Sequence, residues 1–159
     1  MPLAKANPLF LRDADLREAL ELLFFGYRDF TSEADAILAN YGFGRAHHRV
    51  IYFVGANPGL SVSELLGTLQ VTKQSLSRVL GQLVDERFVE QRTDADDRRR
   101  RLLFLTEKGQ GLENELTERQ CALIARAYRQ AGASSVAGFR TVMMGIINEK
   151  DRQRFDSKD

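Results

Sequence analysis

Between residues 60 and 106 the apolar positions change period twice, and each change marks an element. Leu65, Leu66 and Leu69 share one face of a short helix. Leu76, Val79, Leu80, Leu83 and Val84 then fall at i, i+3, i+4, i+7 and i+8, a single buried stripe on a second helix. Ser61 is placed to cap the first helix. Glu64, three residues on, is placed to reach back to the Ser61 N–H, so Ser61-Val62-Ser63-Glu64 reads as a capping box. Gln70-Val71-Thr72 forms the turn between the two, with the Thr72 hydroxyl available to the open N–H groups of a helix starting at about Lys73. Past Phe88, residues 89–92 and 101–105 can pair as strands around 93–97, a stretch rich in turn formers. Two helices about a tight turn, followed by a hairpin, predict a winged helix-turn-helix.

The free face of the second helix carries Lys73, Gln74, Ser75, Ser77, Arg78 and Gln82, with Thr72 at its cap. Lys and Arg donate to guanine O6 and N7, Gln pairs bidentately with adenine, and Ser hydroxyls serve bases or phosphates. The N-terminal part of such a helix is the part that enters the major groove. Taken alone, the same residues describe an ordinary solvated helix face. The hairpin adds the second half of the argument, because Arg98, Arg99, Arg100 and Arg101 follow its turn without interruption. Charge runs are usually solvated, but arginine on a protruding ribbon can enter a narrow minor groove, where the negative potential is enhanced. The expected partner is double-stranded DNA.

At the hairpin the sequence resembles the MarR family of bacterial transcription regulators. The family's wing pattern is Asp-x-Arg, three residues, an aliphatic, any residue, then Leu-Thr. It stands here as Asp97-Arg98-Arg99, Arg100-Arg101-Leu102, Leu103, Phe104, Leu105-Thr106, with Leu103 for the commoner Val, and runs on into Glu107-Lys108-Gly109. The resemblance implies that Arg99 is the minor-groove residue and that Asp97 orients it through a charge-assisted hydrogen bond. Arg98, Arg100 and Arg101 are then candidates for phosphate contacts, with strand alternation turning some of them away.

Outside this lobe the periodicity predicts further helices. Leu16, Leu20, Leu23, Tyr27, Phe30, Ala34, Ile37 and Tyr41 alternate steps of three and four despite Gly26, which costs about 1 kcal/mol relative to Ala. A helix over 47–57 is stopped by Asn57-Pro58-Gly59. Thr106 can cap another, carrying Leu112, Leu116, Leu123, Ala127 and Tyr128. Ser134 or Ser135 can cap a last one, carrying Phe139, Val142, Met143, Ile146 and Ile147. These helices hold more apolar surface than a thin lobe can cover by itself. The resemblance implies that the first and the last two interlock with a second subunit. The expected fold is therefore mainly α with a small β-hairpin wing, about six helices in one domain over 1–159. Residues 45–106 form the winged helix-turn-helix lobe, and 10–44 and 107–155 the dimerisation helices of an intertwined homodimer.

Composition narrows the class without changing it. With 43% hydrophobic and 28% charged residues in 159, usage is that of one globular domain. No apolar run approaches the roughly 20 residues of a membrane helix, and the start Met1-Pro2-Leu3-Ala4-Lys5 lacks the apolar centre of a signal peptide, so no membrane association and a cytoplasmic location are expected. A net charge of +1 is low for a DNA-binding chain, but the positive charge is clustered between Arg98 and Arg101.

Catalytic signatures are missing: the chain has no phosphate-cradling glycine loop, nucleophile elbow or His-Glu-x-x-His. No enzyme activity and no cofactor are expected. His47 and His48, the only histidines, project about 100° apart on a helix and cannot converge on one metal. No metal site is expected. Cys121, the single cysteine, forms no intramolecular disulfide and reads as a small packed side chain; the resemblance implies that a peroxide-sensing cysteine would stand near the start of the first helix, away from it. A small aromatic or phenolic ligand is implied by the resemblance. Phe24, Phe25, Tyr27, Arg28, His47, His48 and Tyr52 have suitable chemistry, apolar faces with a few polar handles, and the same residues serve equally as core and dimer packing. Of these, Phe24, Tyr27, Arg28, His48 and Tyr52 are the candidate pocket. The expected function is a homodimeric, sequence-specific DNA-binding regulator on a pseudo-palindromic operator. The alternative is a winged-helix protein-interaction module or sensor with weak or lost DNA binding.

Overall fold

The computed structural model describes residues 9–156. Its elements, in chain order, are α1 (Asp13–Ala39), α2 (Arg45–Ala56), β1 (Leu60–Ser61), α3 (Val62–Leu69), α4 (Lys73–Asp85), β2 (Val89–Thr93), β3 (Arg101–Leu105), α5 (Glu107–Ala131), α6 (Ala133–Ile146) and α7 (Glu149–Asp156). The strands form one antiparallel sheet in the order β1-β3-β2, with Gln91 opposite Leu103 and Thr93 opposite Arg101 across the hairpin. Contacts divide the chain into two compact units, one ending at Gln120 and one beginning at Cys121.

The caps expected in the lobe are formed by the residues named. Ser61 Oγ accepts from the Glu64 amide (3.1 Å), Thr72 Oγ1 from Ser75 (3.1 Å) and Thr106 Oγ1 from Gly109 (3.0 Å). Gln70 closes α3 in the left-handed region, its amide bonded to the Leu66 carbonyl. The apolar stripe of α4 packs inward: Leu76, Val79, Leu80 and Leu83 are buried and Val84 is partly buried. They meet Leu65, Val50, Ile51, Val54, Phe88, Val89, Leu103, Leu112 and Leu116 in one core. Gly109 is obligatory here, since a Cβ at that position would collide with the Phe88 carbonyl where α5 crosses the α4–β2 corner.

Several expectations need correction. Neither Ser134 nor Ser135 caps α6; both lie inside it, and the N-cap is Gly132, whose φ of +86° ends α5 and redirects the chain. A seventh helix, α7, follows among the described residues. The two-residue β1 adds a third strand to the wing sheet. α2 starts two residues earlier than expected, at Arg45, because His47 Nδ1 accepts from the Gly44 amide (3.0 Å) and completes its N-terminus. Cys121 is exposed on the chain rather than packed.

Candidate nucleic-acid interface

The N-terminal half of α4 presents Thr72, Lys73, Gln74, Ser75, Ser77 and Arg78 to solvent. Thr72 and Ser75 also bond each other, the Thr72 hydroxyl donating to Ser75 Oγ at 2.8 Å while its oxygen caps the helix. The side chains of Lys73, Gln74, Ser77 and Arg78 have no hydrogen bond or ion pair among the described residues, so their donors and acceptors are open at the positive end of the helix. Gln82 differs. It is half-buried, and its Oε1 lies 2.8 Å from His47 Nε2. Because His47 Nδ1 accepts from Gly44, the ring proton sits on Nε2 and is donated to Gln82.

At the wing, Asp97 Oδ1 accepts from the Arg99 amide (3.0 Å) and from Arg99 Nε (3.2 Å). These two bonds, with a smaller effect of the Arg100 charge, hold the Asp97 carboxyl below its usual range. The Arg99 side chain is 92% exposed, so its guanidinium is both oriented and open. Arg98 and Arg101 are exposed, while Arg100 is turned to Glu64 and Asp94. The second half of the expected capping box is therefore not made: the Glu64 carboxylate faces the hairpin instead of the Ser61 amide. No linear signal marks this contact, because it joins residues that only the folded wing brings together. Arg92, unmentioned by any motif, lies over the Phe104 ring (4.3 Å) and pairs with Glu90, which stiffens the hairpin.

Comparison with known proteins settles the ancestry of this arrangement. The sequence profile of the MarR family matches residues 41–100. The HTH-type transcriptional regulator PetP of Rhodobacter capsulatus is 48% identical over 147 residues, covering 92% of this chain and 89% of that one. The chain belongs to the MarR family. It is thus a transcription regulator and not an enzyme. Among solved structures, Streptococcus pneumoniae FabT in complex with DNA superposes with a TM-score of 0.74 at 17% identity, over 82% of this chain and 94% of that one. The MarR family transcription regulator SP03579 gives 0.72 at 18% identity, over 84% and 88%. At such identities the likeness is one of fold, and the fold is the winged helix of MarR regulators.

In this MarR-family chain the candidate pocket residues are only partly brought together. The Tyr27 hydroxyl accepts from Arg49 Nη2 (3.0 Å), and the Arg45 guanidinium lies 5.3 Å from the Tyr27 ring centre, so Tyr27 ties α1 to α2. His48 is half-buried in α2, and Tyr52, on the same helix, packs edge-on against Phe53. Phe24 meets Phe25, whose ring carries the Arg28 guanidinium, and Arg28 pairs with Asp29. A cleft of about 750 Å3 lies elsewhere, lined by Tyr128, Phe139, Arg140, Met143, Ile147 and Phe155 among others, none of them in the expected set. Among the described residues no group of three His, Cys, Asp or Glu is placed to hold a metal ion, and no helix is long and apolar enough to cross a membrane.

His48 carries a pH signature. Burial pushes its imidazole below the usual value of 6.5, against the opposing pull of Asp35 and Glu113. As pH falls below 6.5 the unfolded chain takes up the proton first, so stability is lost until the lowered folded value is passed. The wild-type melting temperature is expected to fall across that window, and His48→Asn to flatten the fall. An unchanged slope in the variant would assign it to other groups.

Proposed function

We propose that this chain acts as a homodimer in the cytoplasm, setting α4 in the major groove and the wing in the minor groove of a pseudo-palindromic operator. Promoter occupancy then represses or activates transcription. The observation that carries the reading is Arg99, 92% exposed at the wing and held by Asp97, beside a helix whose Lys73, Gln74, Ser77 and Arg78 are open. FabT, of similar fold, is solved in complex with DNA, which supports it. Arg98 and Arg101 contact phosphates, and Thr72 and Ser75 border the groove. Gln82, engaged with His47, is assigned no base.

In this reading residues 45–106 are the DNA-binding lobe, while 10–44 and 107–155 dimerise. Support comes from apolar faces that the single chain leaves open: Leu16, Leu20 and Phe24 on α1, and Phe139, Val142 and Ile146 on α6. A two-fold dimer sets recognition helices about 34 Å apart, hence half-sites about 10 base pairs apart. A small aromatic or phenolic effector is assigned to Tyr27, Arg28, His48 and Tyr52, with Phe24 flanking.

The test is binding to the DNA upstream of the chain's own gene over a series of salt concentrations. Affinity that falls steeply with salt and exceeds that for random DNA is expected; absent or salt-insensitive binding would favour a protein-interaction module. Within α4, Gln74→Ala or Arg78→Ala should cost about 1–3 kcal/mol on the operator and flatten base preference at the contacted positions. Lys73→Ala should weaken all sequences alike and lower the salt slope by about one. Equal loss on operator and random DNA would move Gln74 and Arg78 to the phosphates.

A further inference from the structure

Arg100 stands apart from the other wing arginines. Its Nη2 donates to Glu64 Oε1 at 2.9 Å, and its Nη1 lies 3.4 Å from Asp94 Oδ2. Glu64 is in the first turn of α3, 36 residues away in sequence. Asp94 opens the wing turn: its Oδ1 accepts from the Asp96 amide, and its own amide donates to the Arg100 carbonyl at 3.1 Å. The Arg100 amide in turn donates to the Asp97 carbonyl at 2.9 Å. One guanidinium thus links the turn that carries Arg99 to the first helix of the helix-turn-helix.

We propose that Arg100 is a positioning residue. It acts as a strut that sets the angle of the wing over α3, and through it the point at which Arg99 meets DNA. The inference rests on the reading above that the wing contacts the minor groove. Past the two residues paired with β1 the wing runs on as a two-stranded hairpin, and the contacts within it do not fix its angle to α3. Exposed ion pairs add little to global stability, yet a planar fork held between two carboxylates fixes a direction that a single pair does not. The strut also makes a prediction whose sign is opposite to simple electrostatics. Removing a carboxylate from a surface that faces a polyanion ordinarily raises affinity. Here it should lower it.

The experiment uses the full chain with Glu64→Gln, Asp94→Asn, Arg100→Gln and the Glu64→Gln/Arg100→Gln double variant, and Arg99→Ala as control. Operator binding is measured over a salt series, and wing amide exchange in the DNA-free protein. Glu64→Gln is expected to bind about three- to fivefold more weakly, the scale of an exposed pair. Asp94→Asn, which leaves α3 untouched and keeps an acceptor for Asp96, should repeat the sign. The Asp94 and Arg100 amides should exchange faster in each variant, the double should lose no more than Arg100→Gln alone, and Arg100→Gln should leave the salt slope unchanged. Tighter or equal binding by Glu64→Gln, unchanged exchange, or a salt slope lowered by about one in Arg100→Gln would overturn the strut, the last by making Arg100 a phosphate ligand. If wing exchange rises while Arg99→Ala binds as wild type does, the strut stands and the minor-groove reading fails.

Discussion

Arg99→Ala is expected to bind the proposed operator on the order of 100-fold more weakly than the wild type, while its assembly state and its melting temperature stay where they were. A charge-assisted contact contributes about 1.5 kcal/mol, and the proposed dimer would lose two of them, about 3 kcal/mol together. The fold has little at stake: the side chain is 92% exposed, and its one ion pair, to Asp97 Oδ1 at 3.2 Å, is of a kind that adds little to stability. Asp97→Ala should give a smaller defect, because it frees the guanidinium without removing its charge. The double variant should lose less than the two singles combined, since the residues act as a unit. Arg99→Lys should recover only part, keeping charge but not the fork. The Asp97 carboxyl is held below its usual value of 3.8 by the Arg99 bonds, so the brace is intact at neutral pH and is lost only as pH falls through that lowered value. Wild-type binding by Arg99→Ala, with the hairpin folded, would pass the role to exposed Arg98.

The lobe that holds these residues was legible because its determinants are local. A hydroxyl three residues before an amide makes a cap whatever surrounds it, which is why Ser61, Thr72 and Thr106 could be named in advance. The α4 stripe needed only 3.6-residue spacing. What escaped was set at a distance. β1 is too short to have a period and exists because Leu60 and Ser61 lie opposite Leu103 and Leu102. Glu64 looked like half of a capping box until the folded hairpin brought Arg100 to it. Gln82 sits on the free face by spacing, yet the ring of His47 reaches it from α2. At α6 the serines carried the capping signal, but the left-handed Gly132 had already turned the chain. In α1 the period gave the helix, though Tyr41 lies in the turn past its end at Ala39, and it did not say what would cover the helix. Ala34 and Leu38 are buried, whereas Leu16, Leu20 and Leu23 stay open.

That uncovered surface sets up the other large effect. Val142 on α6 is 62% exposed and Leu20 on α1 is 67% exposed, in a chain whose α6 buries no residue at all. If a second copy covers these faces, Val142→Asp places a carboxylate where the interface must exclude water, and an unpaired buried charge costs far more than the lost apolar contact. Sedimentation should then show a monomer at micromolar concentration, against a dimer expected for the wild type. Operator binding should fall at least as far as for any single change in α4 or the wing, by about 100- to 10,000-fold, because the second half-site is no longer presented at the effective concentration that the first supplies. Val142→Ala, which trims the side chain without charge, should keep the dimer and most of the affinity. The lobe's own core does not include Val142, so loss of DNA binding by the aspartate variant would not reflect unfolding there, and circular dichroism of the monomer can confirm its helices. A Val142→Asp protein that sediments as the wild type does would show that α6 is not part of the interface.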